Sequence, residues 1–188
     1  MIITISGEPG AGKSTVAKII SKKLGLKYFS IGSFLREIAL KRNKGIVEIN
    51  KLAEEDLEID KYLDSKLVEI SKKDNYVVDS RIAFYFIPKS IKIFLKCDEK
   101  IAAERISKEL KNNNGTRVSE NYLGFDDVLK SIRLRKRSEL NRYKKTYRII
   151  YNDLKNYDLV IDTTNLTPKK TAKIILSFVK LIKREPSV

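Results

Sequence analysis

The chain contains no histidine. That absence removes Ser-His and Cys-His nucleophilic machinery and every His-ligated metal site. Cys97 is the single cysteine, which excludes an intramolecular disulfide and any zinc site built from several thiolates. It is expected to behave as a small buried hydrophobe. No apolar run approaches the ~20 residues of a membrane span. The opening Met1-Ile2-Ile3-Thr4-Ile5 lacks the basic stretch of a secretory signal. There is no internal repeat, no Pro-rich or Gly/Ser-rich linker and no low-complexity tract. A cytoplasmic location and no membrane partner are the resulting expectations.

What is present fits one soluble domain. The 188 residues are 42% hydrophobic and 34% charged, and a chain of this length buries a core without a disulfide or metal staple. The formal net charge is +15, and a basic chain favours polyanions. The lysines are scattered along the sequence, so most are expected on solvated helix faces. Nucleic acid stays open as a secondary partner.

Short β-branched runs alternate with helical patterns. Strands are predicted at Ile2 to Ser6, Lys27 to Ser30, Tyr76 to Asp79, Ile91 to Lys96 and Leu159 to Asp162. Helices are predicted at Lys13 to Leu24, Ser33 to Arg42, along the stripe Ile59, Leu63, Leu67, Ile70, and at Ile101 to Leu110. Asp126 to Tyr151 reads as a long helix or a broken pair, and Pro168 opens a closing helix. The strands are continuous apolar runs, as expected when helices cover both faces of a parallel sheet. The fold class is therefore α/β, a doubly wound parallel sheet of about five strands. Asn112-Asn113-Asn114-Gly115, with Thr116 and Arg117, reads as a mobile insertion.

Gly7-Glu8-Pro9-Gly10-Ala11-Gly12-Lys13-Ser14 matches G-x-x-x-x-G-K-[ST], with a buried strand before it and an amphipathic helix after it. The glycines let backbone N–H groups curl around a phosphate, and the helix adds its positive N-terminal end. Lys13 would reach the β- and γ-phosphates of ATP, and the Ser14 hydroxyl would ligate Mg²⁺. Asp79, ending an apolar strand, would orient the same ion. A guanine-reading Asn-Lys-x-Asp is absent after the fourth strand, where Cys97-Asp98-Glu99-Lys100 stands. The chain is also short for a motor ATPase, so a small kinase fits best.

Phosphoryl transfer asks the protein for positioning and charge neutralisation. An acceptor that is itself a phosphate needs no general base, so the missing histidine costs nothing. Arg36 and Arg81 lie beside predicted strand ends. Arg135 and Arg142 are seven apart on one helix with Ser138 between them.

These features resemble the nucleoside monophosphate kinases, most closely the short cytidylate kinases of archaeal type. The resemblance rests on Gly7 to Thr15, Ser30-Ile31-Gly32-Ser33-Phe34-Leu35-Arg36, Glu58-Ile59-Asp60 with Asp64, and Asp79-Ser80-Arg81. Arg135-Lys136-Arg137-Ser138-Glu139 leading to Arg142-Tyr143, and Tyr157-Asp158-Leu159-Val160-Ile161-Asp162-Thr163-Thr164, complete it. It implies a single P-loop kinase domain with an acceptor-binding helical insertion at about 31–74 and a lid at about 111–125. It places ATP on residues Gly7 to Thr15, with Thr163 to Leu166 near adenine. Arg36 and Arg81 would hold the acceptor phosphate of CMP or dCMP, beside Gly32. Arg105, Arg135 and Arg142 would close over the transferred group. Asp60 would accept a hydrogen bond from the cytosine amino group, with Asp64, Ser138 and Arg142 the further acceptor-side residues. The chain departs from the family at Ser80, where glycine is usual, at Lys108, where a second lid arginine is common, and at Arg137, often acidic. A monomer is expected. The alternatives are a kinase for AMP, dephospho-coenzyme A or shikimate, and an RNA-associated P-loop ATPase.

Overall fold

The computed structural model describes residues 1–111 and 124–184. Its sheet has five parallel strands: β1 (Ile2–Gly7), β2 (Lys27–Ser30), β3 (Tyr76–Asp79), β4 (Ile91–Lys96) and β5 (Leu159–Asp162), in the order β2-β3-β1-β4-β5. Register is set with Ile3 opposite Val77 and Ile91, and Ile5 opposite Asp79 and Ile93. All four strand pairings are parallel, so the carboxyl ends of the five strands gather on one edge.

Helices cover both faces. On one, α1 (Lys13–Leu24), α6 (Glu99–Lys111) and α8 (Pro168–Arg184) pack Val16, Ile20, Ile106 and Ile175 onto Ile3, Ile5, Val77 and Ile93. On the other, Val78 and Phe94 meet α5 (Ala83–Phe86) and the end of α7 (Phe125–Tyr147), with Tyr143 and Tyr151. Burial on both sides is why the central strands read as unbroken apolar runs. The edge strand β5 departs from that reading: Val160 and Asp162 are exposed while Ile161 is buried, because among the described residues no layer covers the face that Val160 and Asp162 share.

Between β2 and β3 run α2 (Ile31–Lys41), α3 (Ile46–Glu55) and α4 (Leu57–Ser71), which share a core of Leu35, Ala39, Ile46, Ile49, Ala53, Ile59 and Leu63. The sequence reading contains neither α3 nor α5. The N-terminus of α3 is closed by Glu48, whose carboxylate accepts from the Gly45 N–H at 2.8 Å. Its inner stripe includes a polar residue, Asn50, and a small one, Ala53, which hides the apolar period. α2 begins at Ile31, directly after β2. α7 is one unbroken helix that stops at Tyr147, four residues before the predicted limit, because Arg148 turns left-handed at φ 59°. The predicted lid at about 111–125, with Arg117, falls almost wholly outside the described residues.

Candidate active site

The carboxyl edge of the sheet opens into a cleft of about 650 Å³ lined by the phosphate loop, the start of α2, Asp79 to Arg81, Arg105, Arg135, Glu139, Thr163 and Leu166. The loop's path depends on two glycines. A Cβ on Gly7 (φ 142°) would lie 2.2 Å from the Leu95 carbonyl oxygen, and one on Gly10 (φ 69°) would lie 2.6 Å from Ala102 Cβ. Only a residue without a side chain permits that approach. α1 then starts after Gly12 with no side chain capping it, so its first N–H groups have no acceptor within the helix and face the cleft.

Glu8 fastens the loop from outside. Its carboxylate accepts from the Cys97 N–H at 2.9 Å and pairs with Lys136 at 3.0 Å. Thr163 fastens it from the other end, donating to the Lys96 and Ala11 carbonyls at 2.8 and 3.2 Å. Thr164 accepts from the Asp98 N–H at 3.0 Å and does not line the cleft. Pro9, Ala11 and Thr15 lie along the loop's inner wall.

Lys13 donates to the Glu8 carbonyl at 2.6 Å. Burial, then the nearby Arg81 charge, holds its ammonium well below the ordinary lysine range. The Ser14 hydroxyl donates to Asp79 at 2.5 Å, and Tyr28 and Ser30 approach the same carboxylate oxygen at 3.4 and 3.5 Å. Asp79 is buried. A hydroxyl and one carboxylate side by side make the oxygen-donor pair that suits Mg²⁺, which keeps waters and phosphates for its remaining positions. Among the described residues no cluster of three potential metal-ligating side chains exists, so the protein offers a partial ligand set that a phosphate-bound Mg²⁺ would complete.

Arg81 is held on three sides. Its Nε donates to Glu139 at 2.7 Å, its Nη1 donates to the Gly7 carbonyl, and the guanidinium lies 5.8 Å from the Tyr151 ring centre. Arg135 approaches the other oxygen of Glu139 at 3.7 Å. Burial alone would raise the Glu139 carboxyl, but Arg81 and Arg135 outweigh it and hold the group at about 2. Glu139 is a site residue that the sequence reading quotes in a motif without assigning a role. Its signal is the spacing of four from Arg135, which puts both on one face of α7. Arg36 Nη1 donates to the Gly32 carbonyl at 3.3 Å on the opposite wall.

Arg105 takes a different position from the predicted one over the transferred group. Its guanidinium donates to the carbonyls of Thr163, Thr164 and Leu166 at 2.7, 2.9 and 3.4 Å, and to that of Gly10 at 3.4 Å. It thus ties the β5–α8 loop to the phosphate loop.

Asp60, Asp64, Ser138 and Arg142 lie behind the cleft wall. Asp60 and Arg142 are 4% and 3% exposed and face each other at 3.5 Å. Arg142 also donates to Asn50 at 3.4 Å and Tyr143 at 3.2 Å, Ser138 donates to the Asn50 carbonyl, and Tyr147 donates to Asp64 at 2.7 Å. The acidic face of α4 expected toward an open acceptor site is instead packed against α7, with α3 closing the space between them. Even so, Asp60 Oδ2 and Arg142 Nε and Nη1 are buried with no hydrogen-bond partner among the described residues. Burial raises the Asp60 carboxyl, against the pull of Arg142. Burial, then the Asp60 charge, lifts Asp64 to about 6 although Tyr147 donates to it.

Of the departures from the family pattern, Ser80 is buried at the cleft and its hydroxyl accepts from the Ile82 N–H at 3.4 Å. Lys108 and Arg137 are exposed.

Residues 3–124 match the AAA domain family. The chain is 38% identical to a cytidylate kinase of Sulfurisphaera tokodaii over 185 residues, covering 97% of each chain. It is 36% identical to a cytidylate kinase of Methanocaldococcus jannaschii over 189 residues, covering 98% of this chain and all of the other. In fold it is similar to a shikimate kinase of Bacteroides thetaiotaomicron, with TM-score 0.62 and 13% identity over 96% of this chain and 98% of that one. It is also similar to an uncharacterised protein of Eubacterium ventriosum, with TM-score 0.68 and 15% identity over the same shares.

Proposed function

The chain belongs to the cytidylate kinase family, and from that premise we propose that it transfers the γ-phosphoryl group of ATP to CMP or dCMP. The observation that carries the reading is the convergence on one cleft of Lys13, the Ser14–Asp79 pair and the arginines Arg36, Arg81 and Arg135. Phosphoryl transfer develops charge on oxygens, and fixed cations in a water-poor cleft are what stabilise it.

The loop Gly7 to Thr15 binds the ATP phosphates through its N–H groups, and Lys13 turns from the Glu8 carbonyl onto them. Arriving phosphates favour the charged form of Lys13 that burial and Arg81 disfavour. Ser14 and Asp79 would hold Mg²⁺, which when bound neutralises charge on the β- and γ-phosphates. Thr163 and Leu166 border the adenine side, and Arg105 keeps their loop in place. The acceptor enters from α2, where Gly32 gives room and Arg36 meets its phosphate opposite Arg81. Glu139 fixes Arg81 and Arg135 in orientation, so both cations are in place before the substrate arrives. The acceptor phosphate is already an anion, and no general base is required. α2, α3 and α4 form the acceptor-binding insertion.

The base is read by Asp60 and Arg142. Cytosine offers an amino donor beside two acceptors, N3 and O2. That edge supplies hydrogen bonds to Asp60 Oδ2 and to Arg142 Nε and Nη1, which are ion-paired across 3.5 Å but make no hydrogen bond among the described residues. Ser138 and Asp64 support the two from either side. The base therefore enters only as α3 and α4 move away from α7.

The test is ADP formation from ATP and Mg²⁺ with CMP, dCMP, UMP, AMP, dephospho-coenzyme A and shikimate in turn. Turnover concentrated on CMP and dCMP is expected. Preferential turnover of shikimate or AMP would overturn the reading.

A further inference from the structure

The structure brings together two stretches that are far apart in sequence and share one property. Residues 9–36 and 163–184 contain no aspartate or glutamate. α1 comes from the first and α8 from the second, and the two helices pack side by side on one face of the sheet. Between them they carry ten basic residues and no carboxylate. Lys18, Lys22, Lys23, Lys169, Lys170, Lys173 and Lys180 are exposed, and among the described residues none of the seven forms an ion pair. Lysines elsewhere do pair: Lys41 with Glu37, Lys61 with Glu58, Lys73 with Glu69. The scatter of lysines along the sequence is therefore not a scatter in space.

We propose that the outer face of the α1–α8 pair docks the phosphate backbone of double-stranded nucleic acid. At about 100° per residue, Lys173 and Lys180 follow one line along α8 beside Ser177, which stands opposite the buried Ala172, Ile175 and Val179. Lys18 and Lys22 follow the matching line on α1, opposite Val16, Ala17 and Ile20. The axes of the two packed helices stand roughly 8–10 Å apart, and α8 runs for about 25 Å. A duplex presents phosphates continuously over that span.

Two observations select a duplex over its rivals. Neither helix exposes an aromatic ring on which an unpaired base could stack, and single strands are held largely by such stacking. A bilayer surface would want aliphatic side chains at the outermost line. Here that line runs through Ser177, with Lys173 and Lys180 along one side of it and two exposed aliphatic side chains, Ile174 and Leu181, along the other. Lysines alone, as point charges, give binding without sequence preference. Lys18 is the one row residue that also lines the cleft, while Lys22, Lys173 and Lys180 lie outside it.

The experiment is fluorescence anisotropy of the full chain with labelled 20-base-pair DNA and RNA duplexes from 50 to 200 mM salt. Six phosphate contacts give a log–log slope of about −5, an affinity loss on the order of 10³-fold over that range. Lys22→Gln/Lys23→Gln and Lys173→Gln/Lys180→Gln each reduce the slope by about 2 and leave CMP phosphorylation unchanged. Lys41→Gln/Lys73→Gln, which removes equal charge from another part of the surface, leaves the slope as it was. Equal losses in all three variants would assign binding to net charge and overturn the proposal. So would no duplex binding at 50 mM salt, with or without capture by vesicles containing phosphatidylserine.

Discussion

Arg81 and Glu139 form a buried ion pair at 2.7 Å, with side chains 10% and 4% exposed, and that pair links the end of β3 to the middle of α7. Removing the carboxylate charge takes from Arg81 and Arg135 the anion that they share. Glu139→Gln should lower unfolding free energy by about 3 kcal/mol and raise the Michaelis constant for CMP more than that for ATP. Urea denaturation together with steady-state kinetics checks both. The pair also sets an acid limit. Glu139 falls from the usual unfolded value near 4.3 to about 2 in the fold. Its stabilisation is present above pH 4.3 and is lost as pH falls through 2.

Lys13→Ala should abolish turnover and leave the fold intact. The ammonium is held below its ordinary range by burial and by Arg81, so its removal relieves a cost instead of breaking a core contact. Thermal unfolding at or above the wild-type midpoint, with turnover near background, is expected. A stable variant with near-wild-type turnover would remove Lys13 from the reaction.

Arg36 and Arg105 should separate the two substrates. Arg36→Ala should raise the CMP Michaelis constant roughly 10- to 150-fold, the worth of a lost charge-assisted contact of about 1.5–3 kcal/mol. ATP affinity should barely change. Arg105→Ala removes the donor shared by four backbone carbonyls and loosens the β5–α8 loop from the phosphate loop. It should weaken ATP binding first, as titration with a non-hydrolysable ATP analogue would read.

Asp60→Asn should narrow the preference for CMP over UMP by about 1–3 kcal/mol, roughly 5- to 150-fold. The amide offers a donor to the uracil carbonyl where the carboxylate repels it. An unchanged ratio of kcat/KM values would move base reading to another residue.

Asp64 gives a pH signature of opposite sign to that of Glu139. Its carboxyl rises from about 3.9 unfolded to about 6 in the fold, so the native state binds the proton more tightly. Stability should fall as pH rises from 4 to 6, by about 1 kcal/mol once partial exposure is allowed for. Asp64→Asn should flatten that part of the curve, as denaturation at pH 4.5 and 7 would show.

The strands and the phosphate loop were legible because each carries its signal locally: β-branched runs such as Ile2 to Ser6, and glycines at fixed offsets before Lys13. The acceptor side was not. α3 buries Asn50 on its inner stripe, so its period is interrupted at the position where Arg142 needs an acceptor. Asp60 reads as a surface carboxylate until α7 is laid against α4. The end of α7 was missed because Arg148 adopts the left-handed turn that glycine usually marks. Glu139 needed its partner from β3, 58 residues earlier, and no spacing rule reaches so far.

The helices α2 and α3 and the first half of α4 enclose a small core of their own, while Leu67 and Ile70 at the end of α4 belong to the layer on the sheet. Such a cluster opens as a cooperative unit below the free energy of global unfolding. Warming or mild denaturant therefore disassembles the acceptor side while β1 and the phosphate loop, at the centre of the sheet, stay formed. In that window the molecule still grips ATP but has lost the groups that exclude water. It passes through a state in which water competes as the acceptor, and nucleotide is hydrolysed without product. The first loss on heating is then of coupling and not of nucleotide binding.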